Sequence, residues 1–110
     1  MTATECFNGS IQVVLQQHPE LAQIDLNYRV IATGTGGGDW YVQLKDPLVC
    51  RPYGAEEVAC TFEMLAADVP EWLTGTKASF QMFLDKRLRV TGPSVKDAQK
   101  LRRVLSLLTP

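Results

Sequence analysis

The sequence predicts one α+β domain over residues 1–110, with helices covering one face of a mostly antiparallel sheet. Three observations carry this prediction. In residues 10–17 and again in residues 94–108, apolar side chains recur at the spacing of a helix. In residues 28–45, apolar and polar side chains alternate, as is typical of strands. Helices and a sheet that each have one apolar face bury those faces against one another. A chain of 110 residues fits a single domain.

The first predicted element is a helix near the N-terminus, in which Ile11, Val14 and Leu15 share one face. Phe7 extends that face by one turn. Pro19 ends the helix and can begin a second short turn, because proline fits the first turn of a helix but disrupts its interior.

Five segments of the sequence are predicted to be strands, and they cover residues 28–33, 40–45, 48–51, 58–64 and 88–91. The glycine-rich loop 34–39 should join the first two as a hairpin. Pro52 should place the third strand at an edge of the sheet, because proline has no amide hydrogen to donate to a neighbouring strand.

Three helical segments are predicted in the second half of the chain. A short helix, residues 69–74, begins around Pro70, and an apolar helical patch spans Phe80–Leu84. The last helix should begin at Ser94, whose side chain can cap it with Asp97 three residues later. Its expected buried stripe consists of Val95, Ala98, Leu101, Leu105 and Leu108.

Charge is distributed unevenly along the chain. The net charge is −1, but residues 1–85 carry seven excess negative charges and residues 86–110 carry six excess positive charges. Lys96, Lys100, Arg102 and Arg103 are therefore predicted to form a surface that meets an anionic membrane transiently. The alternative is a solvated helix face that balances the acidic body of the protein.

The residues indicate no catalytic or metal-binding constellation. The one histidine, His18, lies at a helix end, and Cys6, Cys50 and Cys60 lack the spacing of a zinc site or a disulfide framework. Cys60 should be a small buried side chain on the inner face of its strand. We therefore expect a protein that is not an enzyme and has no cofactor or metal.

The glycine-rich loop does not predict a phosphate site. Residues 33–39 contain no complete nucleotide-binding motif, and a strand follows them where a phosphate site needs a helix N-terminus. We expect no nucleic-acid partner. The odd number of cysteines, the lack of an apolar run of about 18 residues and the lack of a secretory signal predict a cytoplasmic protein.

Three segments resemble the sterol carrier protein 2 family of lipid-binding domains. Gly34–Asp46, GTGGGDWYVQLKD, resembles the family's glycine-rich turn, tryptophan and alternating strand. Val58–Gly75, VACTFEMLAADVPEWLTG, resembles its Ala-Asp-Val-x-x-x-Met segment, and Met82–Gly92, MFLDKRLRVTG, its Ala-Phe-Met-x-Gly-Lys-Leu-Lys-Val-x-Gly segment. The order and spacing of these segments carry the resemblance, and the chain is interpreted as a stand-alone, bacterial-type member of that family.

The resemblance implies a five-stranded mixed sheet with an apolar tunnel between the sheet and the helices. It implies non-catalytic binding or transfer of a lipid, such as a fatty acyl, isoprenoid or sterol-like molecule. The alternative is a protein-interaction or dimerisation module with a filled core, accessory to a lipid-metabolic enzyme; its partner would be that enzyme or a second copy. The expected ligand-binding residues are Trp40, Val42, Phe62, Met64, Trp72, Leu73, Met82, Phe83, Val90, Leu101 and Leu105.

The sequence departs from the family pattern at two positions. Lys86 stands where the family usually has glycine, so the turn before the last strand is expected to have a different shape. Met82 stands where the family often has alanine, so it is expected to narrow the tunnel. The last residues also lack a Ser-Lys-Leu-type peroxisomal signal, which fits a cytoplasmic member.

Overall fold

A five-stranded mixed sheet is the centre of the computed structural model, which describes residues 2–93, 95–101, 104, 106 and 107. Its strands are β1 (Leu26–Thr33), β2 (Gly38–Leu44), β3 (Val49–Pro52), β4 (Cys60–Leu65) and β5 (Arg89–Thr91). Their spatial order is β3-β2-β1-β4-β5, in which β1 and β4 are parallel and the other neighbours antiparallel. The predicted α+β class and mixed, mostly antiparallel sheet are confirmed.

Side chains on one face of the sheet form the floor of the core. Val30 of β1 lies opposite Trp40 of β2 and Phe62 of β4, and Tyr28 lies opposite Val42. All five are buried, as the period-two alternation predicted. Burial of an apolar side chain of this size contributes roughly 1.5–3 kcal/mol before entropic costs, so these cross-strand contacts are a large part of the stabilisation.

The hairpin loop between β1 and β2 needs glycine for steric reasons. A Cβ atom at Gly37 would lie 2.1 Å from the carbonyl oxygen of Ala32. The amide of Gly37 donates to the carbonyl of Gly34 at 3.0 Å, and this bond closes the turn. The glycines are therefore needed for the turn. Strand β2 begins at Gly38, two residues earlier than predicted.

Two strands begin later than predicted. β4 begins at Cys60 instead of residue 58, and β5 begins at Arg89 instead of residue 88. The late start of β5 has a local cause, because the amides of Arg87 and Leu88 donate to the carbonyl of Met82, at 2.9 and 3.2 Å, and so end the preceding helix. Pro52 lies in edge strand β3, as predicted.

Helical segments cover the inner face of the sheet. The α-helices are α1 (Ala3–Glu5), α2 (Ile11–Gln17), α3 (Val69–Trp72) and α4 (Thr76–Leu84). A π-helical turn (Cys6–Ser10) links α1 to α2, and the 3₁₀ segments are Pro19–Ile24, Ala66–Asp68 and Val95–Leu101. Phe7 continues the buried face of α2, as predicted.

The prediction of an α-helix at the end of the chain is wrong for residues 95–101, which form a 3₁₀ helix. A 3₁₀ helix has three residues per turn, and the apolar residues Ala98, Leu101 and Val104 follow that period. Leu101 and Val104 are buried, and Ala98 packs against the core. Ser94, Leu105 and Leu108, which completed the predicted helix, lie outside the described residues.

The turn after α4 holds a lysine in a conformation that favours glycine. Lys86 has a φ angle of 62°. The left-handed conformation costs an ordinary L-residue roughly 1–2 kcal/mol, whereas glycine adopts it without a side-chain clash. The turn therefore has a backbone geometry that suits glycine, although a lysine occupies it.

Lys86→Gly is expected to raise the free energy of unfolding by about 0.5–1 kcal/mol, because the relieved strain exceeds the added flexibility of the unfolded chain. Urea denaturation measures the change. Lys86→Ala is the matched control, since it removes the charge and keeps the strained Cβ. An equal effect of the two substitutions would show that strain at Lys86 is not the cause.

Candidate functional site

The candidate site is the space between the helices and the inner face of the sheet. The described residues enclose a cavity of about 10 Å³ there. Its lining residues are Phe7, Ile11, Tyr28, Val30, Val42, Trp72, Leu73, Leu101 and Val104. Only apolar atoms of these residues face the cavity, so it is an apolar space of about the size of one water molecule.

An aromatic stack joins the N-terminal helical segment to the sheet beside this cavity. The rings of Phe7 and Trp40 lie 4.5 Å apart with an angle of 9° between their planes. Both side chains are almost completely buried. Offset aromatic stacking adds about 0.5–1.5 kcal/mol to the gain from burial, so this contact fixes the helical segment on β2.

A second aromatic cluster lies where α3 meets the sheet. The ring of Phe62 is 5.7 Å from that of Tyr28 and 5.4 Å from that of Trp72. The indole Nε1 of Trp72 donates to the Oγ atom of Ser79 at 3.0 Å, which satisfies its polar group and joins α3 to α4. The cluster therefore holds the sheet, α3 and α4 in a fixed arrangement.

Tyr28 anchors the 3₁₀ segment Val95–Leu101 over the cavity. Its hydroxyl group donates to the backbone carbonyl of Asp97 at 3.2 Å. Burial, with smaller effects of Cys60 and Asp97, raises the pKa of Tyr28 well above its ordinary value, so the phenol remains a neutral donor. One hydrogen bond of this kind contributes about 0.5–1.5 kcal/mol, in addition to the burial of Leu101.

The predicted ligand-binding residues fall into separate groups in the structure. The cavity is lined by Val42, Trp72, Leu73 and Leu101. Buried in the same core, but not lining the cavity, are Trp40, Phe62, Met64 and Met82. Val90 is half-buried and packs against the core, and Leu105 lies outside the described residues.

The prediction that Phe83 faces the interior is corrected by the structure. Phe83 is 50% exposed, whereas its neighbour Met82 is completely buried. Successive residues of an α-helix point about 100° apart, so only one of two adjacent side chains can face the core directly. Met82 takes that position on α4.

Five lining residues were not among those predicted to bind a ligand. Tyr28 and Val30 lie on the inner face of β1, and the alternation that selected Val42 on β2 also identifies them. Phe7 and Ile11 are predicted from the sequence to lie on a buried helix face, but not to bind a ligand. Val104 was missed because an α-helical period selected its neighbour Leu105 instead.

The titratable groups in the interior are suited to packing and not to chemistry. Cys6, Cys50 and Cys60 are buried and form no disulfide, and burial raises the pKa of all three thiols, that of Cys50 to about 12. The thiols therefore stay neutral and unreactive at physiological pH. No group of His, Cys, Asp and Glu among the described residues could hold a metal ion.

The predicted basic surface near the C-terminus is only partly described. Lys100 lies 3.3 Å from Asp97 in an ion pair, and Lys96 is exposed. Arg102 and Arg103 lie outside the described residues.

These features define a small α+β domain with an apolar interior between a mixed sheet and a helical layer. The model of the SCP-2 sterol transfer family matches residues 7–106. The chain belongs to the SCP-2 sterol transfer family, which confirms the resemblance noted in the sequence. No curated protein sequence matches the chain.

Several solved structures share the fold. One is a ubiquinone synthesis protein, UbiJ-SCP2, with a TM-score of 0.68 and 15% identity over 93% of this chain and 94% of that one. Apo sterol carrier protein 2 from Yarrowia lipolytica has a TM-score of 0.69 and 15% identity, over 91% and 86% of the two chains. Palmitated SCP2L2 from Aedes aegypti has a TM-score of 0.69 and 17% identity, over 98% and 95%.

The helices are short relative to a lipid bilayer. In the part of the chain that the structure describes, none is both long enough and apolar enough to cross one.

Proposed function

We propose that the protein binds an apolar lipid reversibly between its helices and its sheet and carries it without chemical change. The observation that carries this proposal is the wholly apolar lining of the cavity between these layers. Such a lining can hold a hydrocarbon chain by the hydrophobic effect, and its buried neutral thiols offer no activated nucleophile. Membership of the SCP-2 sterol transfer family supports the same function.

We propose a fatty acyl, isoprenoid or sterol-like molecule as the ligand class. Two structural neighbours support chain-like ligands, since one is described as palmitated and another as a ubiquinone synthesis protein. The proposed contact residues in the core are Trp40, Val42, Phe62, Met64, Trp72, Leu73, Met82 and Leu101, with Val90 at its margin and Leu105 beyond the described residues.

Binding in the cavity that the described residues line requires that space to expand. Ligand pockets have volumes of about 300–1,000 Å³, far above the 10 Å³ of this cavity. The 3₁₀ segment Val95–Leu101 is the element that we propose to move, because 3₁₀ hydrogen bonds have poorer geometry than α-helical ones. Its Leu101 forms part of the cavity wall, so its displacement would enlarge the space directly.

The small cavity also favours a second function. A filled core would leave no room for a ligand, and the domain would then act as a protein-interaction or dimerisation module beside a lipid-metabolic enzyme. The name of the ubiquinone synthesis protein among the structural neighbours supports a partner of that kind. The measurement below distinguishes the two functions.

Titration with palmitate or a short-chain ubiquinone is expected to change the tryptophan fluorescence saturably, with a fixed stoichiometry. Trp72 lines the cavity and Trp40 lies beside it, so Trp72→Phe should remove more of the signal than Trp40→Phe. Native mass spectrometry of freshly purified protein checks for a bound lipid independently. If no lipid class changes the emission of the folded protein, the lipid-binding function is rejected in favour of the filled core.

We further propose that the protein acts in the cytoplasm. The three cysteines form no disulfide, which supports a reducing compartment. We also propose that Lys96, Lys100, Arg102 and Arg103 assist approach to an anionic membrane. Lys100 is already paired with Asp97, so its net contribution is smaller than its charge suggests.

A further inference from the structure

The outward side of α4 carries three large apolar side chains that remain exposed. Phe80, Phe83 and Leu84 are 54%, 50% and 56% exposed. With about 100° between successive residues, the three lie within an arc of about 100° on the helix. We call these three side chains the α4 face.

Clustering distinguishes the α4 face from other exposed apolar side chains. Val13 on α2 and Leu65 at the end of β4 are also about half-exposed. Each lies alone, because no other large apolar residue of α2 or of β4 is exposed. Single exposed apolar residues are common on protein surfaces, whereas contiguous ones mark surfaces that bind a partner or a membrane. The α4 face therefore needs a functional explanation.

An open hollow continues the α4 face towards β5. It has a volume of about 540 Å³ and is lined by Phe83, Leu84, Lys86, Leu88, Arg89 and Val90. Leu88 is buried, and Val90 packs against the core. The floor of the hollow is thus formed by the outer edge of the same core that encloses the cavity.

Positive charges border this apolar surface. Lys86 and Arg89 are exposed, and neither forms a salt bridge with any described residue, although Arg89 stands opposite Glu63 in the sheet register. Arg87 differs, since its guanidinium group lies 2.9 Å from the carboxylates of both Asp68 and Glu71. The two unpaired cations are therefore available to an external anion.

The other charges on the helix do not oppose this arrangement. Lys77 is exposed one turn before the α4 face and adds a third positive charge. Asp85, at the end of the helix, accepts a hydrogen bond from the side chain of Gln81 at 3.0 Å. It lies about 140° around the helix from Phe80, away from the centre of the α4 face.

We propose that the α4 face is a docking surface for an anionic lipid bilayer. Phe80, Phe83 and Leu84 enter the headgroup region, and Lys86 and Arg89 contact lipid phosphates. Apolar residues bordered by cations are the composition that favours shallow binding at such an interface. The proposal rests on the proposed lipid-binding function for its purpose, since a docked carrier can exchange lipid with the bilayer.

The position of α4 explains how docking could affect the interior. Met82, on the opposite side of the helix from Phe80, is completely buried. Ser79 of α4 also accepts the hydrogen bond of Trp72, which lines the cavity. A bilayer that holds the outer side of α4 therefore acts on an element that is hydrogen-bonded to a residue of the cavity wall.

Flotation with vesicles tests the docking surface. Wild-type protein should bind vesicles of phosphatidylcholine with phosphatidylglycerol more tightly than vesicles of phosphatidylcholine alone. Phe80→Ala/Phe83→Ala/Leu84→Ala should weaken binding by at least about tenfold. Lys86→Glu/Arg89→Glu should weaken it about tenfold at about 0.1 M salt and little at about 1 M, where charges are screened.

The matched control is Val13→Ala/Leu65→Ala, which removes equally exposed apolar side chains outside α4 and should bind as wild type does. A fluorescent label locates the contact directly. The three native cysteines are buried, so a Phe83→Cys variant can be labelled selectively with an environment-sensitive dye. Its emission should rise on vesicle binding, whereas a label at Val13→Cys should not respond.

Three results would overturn the proposal. They are the absence of vesicle binding by wild type, full binding by the triple variant, and a dimer in solution that the triple variant dissociates. The last result would assign the α4 face to a second copy of the chain.

The proposed function is tested separately by the lipid titrations without vesicles. Docking by a protein that takes up no lipid class supports the docking surface and rejects lipid carriage. Uptake of lipid by a wild-type protein that does not dock supports lipid carriage and rejects the docking surface.

Discussion

Trp72→Ala is expected to lower the free energy of unfolding by about 3–5 kcal/mol, as for other buried tryptophans. Trp72 is 1% exposed and contacts the sheet through Phe62. Its removal leaves a cavity in the core and breaks the hydrogen bond that joins α3 to α4. Urea denaturation followed by far-ultraviolet circular dichroism measures the loss without relying on tryptophan emission.

Trp72→Phe is the control for the hydrogen bond that the indole group donates to Ser79. It keeps most of the ring and removes the indole donor, which leaves the hydroxyl of Ser79 without that partner. We expect a smaller loss, of about 1–3 kcal/mol. In a Ser79→Ala background the cost of Trp72→Phe should fall, and an unchanged cost would show that the hydrogen bond adds nothing to stability.

Met82→Ala is expected to have the second large effect, a loss of about 2–5 kcal/mol. Met82 is completely buried on the inner side of α4, so truncation adds empty space to the interior. If that space joins the lipid-binding region, the variant should also accept bulkier lipids in the fluorescence titration. Met82 would then be the residue that limits ligand size.

Met82→Leu is the matched control, because it nearly conserves volume and should cost less than about 1.5 kcal/mol. It should leave the range of bound lipids unchanged. A large loss of stability in Met82→Ala with no change in lipid uptake would place Met82 in an ordinary core, away from the ligand.

Most of the sheet could be predicted from the sequence because strand alternation is a local signal. The hairpin followed from residues 28–45 alone, and the edge position of β3 followed from Pro52. The 3₁₀ segment Val95–Leu101 could not be predicted in the same way. Apolar residues three apart suit the start of an α-helix as well as a 3₁₀ helix, and packing against β4 and β5 decides between them.

The candidate site was harder to predict because its shape depends on contacts between distant residues. Phe7 stacks on Trp40, and no local pattern relates the two. Similarly, Met82 and Phe83 are adjacent apolar residues, and the position of the sheet relative to α4 decides which one is buried. The family resemblance supplied the expectation of a tunnel, but the size of the cavity is set by packing.

The two margins of the sheet bear on how the protein behaves at high concentration. β3 has four residues and ends in a proline, and β5 has only three residues. Short edge strands, one of which ends in a residue without an amide hydrogen, are poor templates for a strand from another molecule, so they disfavour edge-to-edge aggregation. At high concentration, partly unfolded molecules should therefore not polymerise readily through the edge strands of the native sheet.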